Sequence, residues 1–338
     1  MKKKDLLNEP VRHIDIKSFD STKIIEAMKS MSFTAGDTAQ AAELFKTMIN
    51  DPECTIMLCI AGSTGAAGCM QVYVDMVRCN MVDVVVATGA AIVDMDFFEA
   101  LGFRHYKVTQ PVDDETLRDL RIDRIYDTLI DENQLQICDN SITKIANSLP
   151  ARPYSSREFI REMGRYLIDN AKKPDSLVQA AYENHVPIFC PAFSDSSAGL
   201  GLVKHQKENE QNHISIDSVK DFRELTEIKL RSPISGLFMI GGGVPKNFAQ
   251  DTVICAEVLG ENAQMHKYAV QITVADERDG ALSGSTLREA RSWGKVDTGY
   301  EQMVYAEASS VLPLIVSDAY HQRDWESRSR RQWANIFE

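Results

Sequence analysis

One recurrence constrains this chain more than any other feature. A short apolar run ends abruptly in small or polar residues, and a stretch of helical periodicity follows. Thr55 to Ile60 reads as a buried strand and runs into Ala61-Gly62-Ser63-Thr64-Gly65-Ala66-Ala67-Gly68. Val82 to Val86 ends at Ala87-Thr88-Gly89-Ala90-Ala91, and Pro187 to Cys190 at Pro191-Ala192-Phe193-Ser194-Asp195. Gly236 to Ile240 ends at Gly241-Gly242-Gly243, and Tyr268 to Val274 at Ala275-Asp276. Such β-rich runs, bounded by turn chemistry and separated by helical segments, predict an α/β fold built on a parallel sheet.

The intervening helices carry their own signals. Ser155 and Glu158 predict a capping box, followed by Phe159, Ile160, Met163, Tyr166 and Leu167 at helical spacing. Asp37 with Gln40 is expected to start another helix, with Ala41, Leu44, Phe45 and Met48 on one face. An N-terminal helical segment covers roughly 21–30. The polar stretch 204–211 reads as an exposed loop or helix end. The charged tail 324–331, with Trp325, is expected to cap the fold or reach a neighbouring subunit. No Pro/Gly-rich linker divides the chain, so a single large domain is expected, with residues 1–50 as a helical segment packing on a core formed by 51–338.

Composition excludes several classes. No apolar run approaches the roughly 18 residues of a membrane span. The lysines of Met1-Lys2-Lys3-Lys4 lack the apolar stretch of a secretory signal behind them. Seven cysteines without a Cys-x-x-Cys pair argue against disulfides and zinc knuckles and fit a reducing cytoplasm. The seven histidines show no ligand spacing, so no metal site is expected. A net charge of −12 argues against nucleic-acid binding and is compatible with a cationic small substrate. There is no Gly-x-Ser-x-Gly elbow and no Gly-Lys-Ser/Thr phosphate loop.

In an open parallel sheet, ligands bind outside the carboxyl ends of the strands. All five small-residue loops are expected there, where backbone N–H groups can approach a pyrophosphate. Gly62-x-x-Gly65-x-x-Gly68 departs from the Gly-x-Gly-x-x-Gly fingerprint, and its only acidic candidate about 20 positions on is Asp83. The loop reads either as a nucleotide contact or as a tight strand-to-helix turn. Gly241-Gly242-Gly243 reads either as a ligand loop or as close internal packing. Asp195 is either a ribose ligand or a helix N-cap. Near the C-terminal end stands Glu289-Ala290-Arg291-Ser292-Trp293-Gly294-Lys295. A lysine desolvated against an apolar ring becomes a nucleophile. Trp293 offers that ring, Gly294 offers room for substrate, and Glu289 offers a carboxylate for a cationic amine.

With these residues in hand, the chain resembles the deoxyhypusine synthase family from about Val11 to Val316. The resemblance rests on Met81-Val82-Asp83-Val84-Val85-Val86 with Thr88-Gly89, and on Asn184-His185-Val186-Pro187-Ile188-Phe189 with Pro191-Ala192 and Asp195. It rests also on Gly241-Gly242-Gly243-Val244, Ser292-Trp293-Gly294-Lys295 and Val304-Tyr305-Ala306-Glu307-Ala308-Ser309. It implies a Rossmann-like fold, a homotetramer with sites at a dimer interface, and NAD as cofactor. In that family NAD oxidises a polyamine, and the aminobutyl group passes through a lysine Schiff base to an acceptor amine. The nucleophile falls on Lys295, and substrate contacts fall on Glu289, Trp293, Ser283 and Asn247. Cofactor contacts fall on Gly62, Ser63, Thr88, Gly89, Asp94, Asp195, Gly242, Ala275 and Glu307.

Three family positions differ. Two polyamine-binding aspartates fall on Leu200 and Leu282, and a histidine falls on Asn247. A buried unpaired ammonium costs several kcal/mol, so spermidine is not expected to bind as in the eukaryotic enzymes. Asp279 or Glu277 are candidates to replace the lost charges. The expected activity is an NAD-dependent aminoalkyl transfer between small amines, of the homospermidine-forming kind. The alternatives are modification of a translation-factor lysine and a non-catalytic NAD-binding homologue.

Overall fold

The computed structural model describes residues 2–338. Six strands form one sheet: β1 (Cys54–Ile60), β2 (Val84–Ala87), β3 (Ile188–Phe189), β4 (Ile234–Ile240), β5 (Tyr268–Thr273) and β6 (Glu301–Tyr305). Their spatial order is β6-β5-β4-β1-β2-β3. Every pairing is parallel, with Met57 standing between Val84 and Leu237. The chain thus builds outward from β1 to β3, returns to the other flank of β1, and builds outward again. The direction of progression reverses between β1 and β4.

Why the interior strands are uninterrupted apolar runs follows from their burial. Ile56, Leu58 and Ile60 point to one face, where they join Phe45, Tyr73, Phe238, Val270 and Leu312 in the larger core. Met57 and Cys59 point to the other, against Leu225, Ile228, Leu237, Ala249 and Leu287. Helices cover both faces. Thr22–Met28 and Phe33–Asn50 lie with the long helix Ala308–Gln322, and Phe33–Asn50 packs on β5 and β6.

Several local expectations meet their counterparts. Ser155 Oγ accepts the Glu158 N–H at 3.2 Å, and Glu158 Oε2 accepts the Ser155 N–H at 2.9 Å, at the start of Ser156–Asn170. Residues 204–208 end the helix Ser197–Glu208. One boundary is corrected: the helix expected to start at Asp37 begins at Phe33, after the N-cap Ser32. Its first turn holds Gly36, pressed against the Met31 carbonyl, so it shows no apolar periodicity to read. β5 closes at Thr273, leaving Val274 exposed beyond the strand.

Three elements lie outside the apolar pattern. β6 carries Glu301 and Gln302 at the sheet edge. Tyr106–Lys107, Ile122–Ile125 and Thr128–Asp131 make a small antiparallel sheet, and Pro153–Tyr154 pairs with Ser215–Ile216. Among the described residues no helix is long and apolar enough to cross a membrane.

Candidate active site

The carboxyl ends of five strands are stitched into one row by backbone hydrogen bonds that continue past the strands. Ala306 N–H donates to Thr273, Gly241 N–H to Ile272, Ala61 N–H to Ile240 and Thr88 N–H to Ile60. This row carries Gly62, Ser63, Thr88, Gly89, Gly242, Ala275 and Glu307 along a single edge. Gly62 adopts φ +81°, and a Cβ there would meet nothing within 4 Å, so its backbone faces open space. Gly89 is different: a Cβ would stand 2.6 Å from Ser196 Cβ, and this close approach joins the loops after β2 and β3.

Gly242 also has a packing reason. A Cβ would lie 2.5 Å from Ser283 Cα. The segment around Ser283 is held down by Gln271 Nε2, which donates to Gly241 O at 3.0 Å and Ser283 O at 3.2 Å, and by Thr273 Oγ1, which donates to Ser283 O at 3.1 Å. Ala275 N–H donates to the same Thr273 hydroxyl at 3.1 Å.

The two aspartates exchange their expected local roles. The helix Ser197–Glu208 has Ser196 at its N-cap position, but that side chain accepts no helix N–H and its Oγ donates to Phe193 O at 3.0 Å. Asp94 supplies the acceptor instead, taking the Ser197 N–H at 2.8 Å. Asp195 is exposed and not a cap. Burial pushes the Asp94 carboxyl up to about 6, against its bonds to Ser197, and the charges of Asp139 and Asp195 push the same way. Glu307 caps Ala308–Gln322 through the Ser309 N–H at 3.0 Å. Asp83 is not a ribose ligand in this chain. It stands where β2 opens, at the opposite edge, accepting the Ile56 N–H at 2.7 Å and pairing with Arg328.

Lys295 occupies a separate place. The turn after Leu287–Ser292 closes through Gly294, at φ +73°. His266 N–H then donates to Lys295 O at 3.0 Å, just before β5 begins. The side chain runs to the helix Gly243–Gln250, where Nζ lies 2.6 Å from Asp251 Oδ1 and 3.2 Å from Asn247 Oδ1. Nζ also stands 5.2 Å from the centroid of the Trp293 ring, which is itself 63% exposed. The expected apolar setting is therefore corrected: the Lys295 side chain, 12% exposed, forms an ion pair beside one aromatic face.

The desolvated lysine is a neighbour that the sequence did not single out. Lys246 is 1% exposed, and burial pushes it down to about 8, against the charge of Glu289. Its Nζ donates to Leu282 O at 3.2 Å and to Ser285 O. Glu289, exposed on its short helix, and Ser283 thus stand around Lys246, while Asn247 reaches Lys295. Asp251 was also missed. Its signal was present, because Asn247 and Asp251 fall four residues apart on one helix face. Asp276 and the Glu277–Asp279 turn that follows it lie at the surface, where Asp279 accepts the Ala281 N–H at 2.7 Å.

The deoxyhypusine synthase family model matches residues 23–319, most of the chain and both clusters. The chain belongs to the deoxyhypusine synthase family. It is 65% identical over 336 residues to the deoxyhypusine synthase-like protein of Coxiella burnetii, covering 99% of this chain and 96% of that one. It is 61% identical to the deoxyhypusine synthase-like protein of Caulobacter vibrioides, covering 99% and 92%. A crystal structure from Entamoeba histolytica, described as a deoxyhypusine synthase, superposes with a TM-score of 0.60 at 19% identity, covering 92% of this chain and 97% of that one. That likeness concerns the fold. Family membership supports an enzyme of the aminobutyl-transferase type and places Lys295 within the matched region.

Proposed function

We propose that this deoxyhypusine synthase homologue is an NAD-dependent transferase that moves an aminoalkyl group from a polyamine to an amine acceptor through a Schiff base on Lys295. The observation that carries the reading is the setting of Lys295: an amine held at 2.6 Å by a carboxylate, against an aromatic face, in a mostly buried position. A lysine so fixed is aimed at one place, and it acts as a nucleophile once its ammonium has given up a proton.

The residues fit NAD. The strand order, counted from the β3 edge, is 3-2-1-4-5-6, that of doubly wound dinucleotide-binding sheets, whose ligands lie across the reversal between β1 and β4. The open backbone at Gly62, with Ser63, Thr88, Gly89 and Gly242 on the same edge, suits a pyrophosphate. Asp94, Asp195, Ala275 and Glu307 border that row and are the candidates for the riboses. When bound, NAD supplies the oxidation of a donor amine to an imine. Lys295 would take the aminoalkyl group by forming a C–N bond to the imine carbon, while the donor nitrogen's bond to that carbon breaks and it leaves as an amine. Trp293 flanks the site, Glu289 offers a carboxylate to a distal ammonium, and Asn247 and Ser283 border it.

Lys295 sits toward the far end of Gly243–Gln250 from the glycine loop, and a helix of that length spans about 12 Å. A site shared between two copies, in a homotetramer, brings a second chain's loops to the lysine. Leu200 and Leu282 are 62% and 42% exposed, and neither supplies charge to an ammonium. This supports a small amine acceptor, as in homospermidine formation, over spermidine held at both ends.

The test is incubation of the oligomer with NAD and a panel of di- and polyamines, followed by mass spectrometry. A new small polyamine supports the reading. Label on a translation-factor lysine points instead to protein modification, and no turnover with any pair defeats the transferase assignment.

A further inference from the structure

Lys295, Asn247 and Asp251 close a triangle. Lys295 Nζ pairs with Asp251 Oδ1 at 2.6 Å and donates to Asn247 Oδ1 at 3.2 Å, while Asn247 Nδ2 donates to Asp251 Oδ2 at 2.7 Å. Each carboxylate oxygen therefore has one partner within the triangle. The orientation of the amide is fixed as well, because turning it over would set its NH2 against the ammonium.

The backbone builds this arrangement from two directions. Asp251 is the C-cap of Gly243–Gln250, and its N–H donates to Asn247 O at 2.8 Å, so both side chains leave the same face. Lys295 arrives from another element, and His266 ties the two together. Its N–H holds Lys295 O at 3.0 Å, and its Nε2 lies 3.1 Å from Ala249 O on the helix. The Asp251 side chain is 27% exposed, so the ion pair is reachable from outside.

We propose that Asp251 is the positioning residue of Lys295 and the acceptor of the proton that its nitrogen sheds as a Schiff base forms. This rests on the Schiff-base reading above. Lys295, once its ammonium has lost a proton to water, adds through its lone pair to the carbon of a protonated donor imine. The new C–N bond forms, and the C=N π pair returns to the donor nitrogen. The lysine nitrogen of this adduct is positively charged and carries two hydrogens. One proton passes to Asp251 Oδ1 and on to the donor nitrogen, whose bond to carbon breaks so that it leaves as an amine. The lysine lone pair closes the new C=N bond. The product is a cationic Schiff base beside a restored carboxylate, in the place where the ammonium began. Asn247 keeps the second oxygen occupied, so Oδ1 faces the lysine.

The test bypasses donor oxidation. Purified protein without nucleotide is incubated with 4-aminobutanal and cyanoborohydride, and labelling of the Lys295 peptide is followed by mass. Asp251→Ala is expected to label about 100-fold more slowly, the scale of a lost proton-transfer group. Added formate should restore the rate, and chloride at equal ionic strength should not, while thermal midpoints confirm that the variant is folded. Labelling of Asp251→Ala at the wild-type rate overturns the proposal. So does slow labelling that formate and chloride affect alike, since a purely structural role leaves nothing for formate to replace. Absence of label at Lys295 in the wild type removes the Schiff-base reading itself, a separate result from either of these.

Discussion

Asp83 and Arg328 form an ion pair sealed inside the protein. Arg328 Nη1 donates to Asp83 Oδ1 at 3.0 Å, Nη2 reaches Oδ2, and the two side chains are 4% and 1% exposed. The same guanidinium also donates to Asn80 O at 3.0 Å and Cys54 O at 2.8 Å. The charged tail thus ties the openings of β1 and β2 together. It caps the fold within the chain, one of the two roles expected for it.

Breaking this pair is expected to be costly. Arg328→Ala leaves a carboxylate buried with one backbone partner, and such removals cost about 3–5 kcal/mol. A comparable loss is expected for Asp83→Ala, and the double variant should be less destabilised than the sum of the two. Urea denaturation of the three proteins checks this. A single variant as stable as wild type would show that the tail does not pin the sheet.

Gly242 permits a second test. Its φ of −166° is extended backbone open to any residue, so the case rests on space alone. An added methyl meets Ser283 Cα at 2.5 Å, and backbone cannot swing aside as a side chain can. Gly242→Ala is expected to lose about 2 kcal/mol by overpacking and to loosen the segment around Ser283. Thermal unfolding gives the first quantity, and proteolysis or hydrogen exchange across 280–286 gives the second. An unchanged exchange pattern would mean that the segment is held by Lys246, Gln271 and Thr273 without help from the glycine.

The parts of the fold that were legible are those where burial writes itself into residue type. β1, β4 and β5 are covered on both faces and read as apolar runs, and the capping box at Ser155 is a two-residue signal. β6 was illegible because an edge strand tolerates Glu301 and Gln302. The nucleophile candidate was legible through the Ser292-Trp293-Gly294-Lys295 context, but its environment was not. The sequence places Trp293 beside Lys295 and cannot show that Asp251, from a distant element, lies closer than the ring. Lys246 was missed because nothing local marks a lysine whose ammonium is satisfied by the Leu282 and Ser285 carbonyls. Asp94 and Asp195 show the same limit, since which of them caps Ser197–Glu208 is decided by the approach of two loops.

Asp221 sets a pH dependence of stability. It is fully buried at the start of Ser156–Asn170, accepting the Ser156 N–H at 3.0 Å and the Arg157 N–H at 3.2 Å. Burial pushes its carboxyl up to about 7, against those backbone bonds, and the nearby Glu224 charge adds to the rise. A folded-state value above the unfolded one means that the native state binds the proton more tightly. The contribution is therefore fully present below the ordinary carboxylate range and is lost as pH rises through about 7. Relative to Asp221→Asn, wild type should lose stability steadily between about pH 4 and 7, by at most about 4 kcal/mol. Thermal midpoints of the two proteins across that range provide the check. A constant difference would mean that Asp221 is ionised throughout.

Lys295→Arg separates chemistry from binding. A guanidinium stays protonated and cannot form a Schiff base, yet it can still donate to Asp251 and Asn247, so the local fold should hold. Transfer activity is expected to fall below detection, at least about a thousandfold. NAD binding, measured by calorimetry, should change little, because the positive charge is kept and the proposed nucleotide contacts Gly62, Thr88, Gly89 and Gly242 lie on the carboxyl edge of the sheet. Donor oxidation can persist, releasing an imine that water hydrolyses, so reduced nicotinamide should accumulate without coupled product. Borohydride added to wild type during turnover should place an aminoalkyl mass on the Lys295 peptide and on no peptide of the variant. If the variant transfers at the wild-type rate, Lys295 is not the carrier. Lys246, the desolvated amine beside Glu289, then becomes the residue to trap.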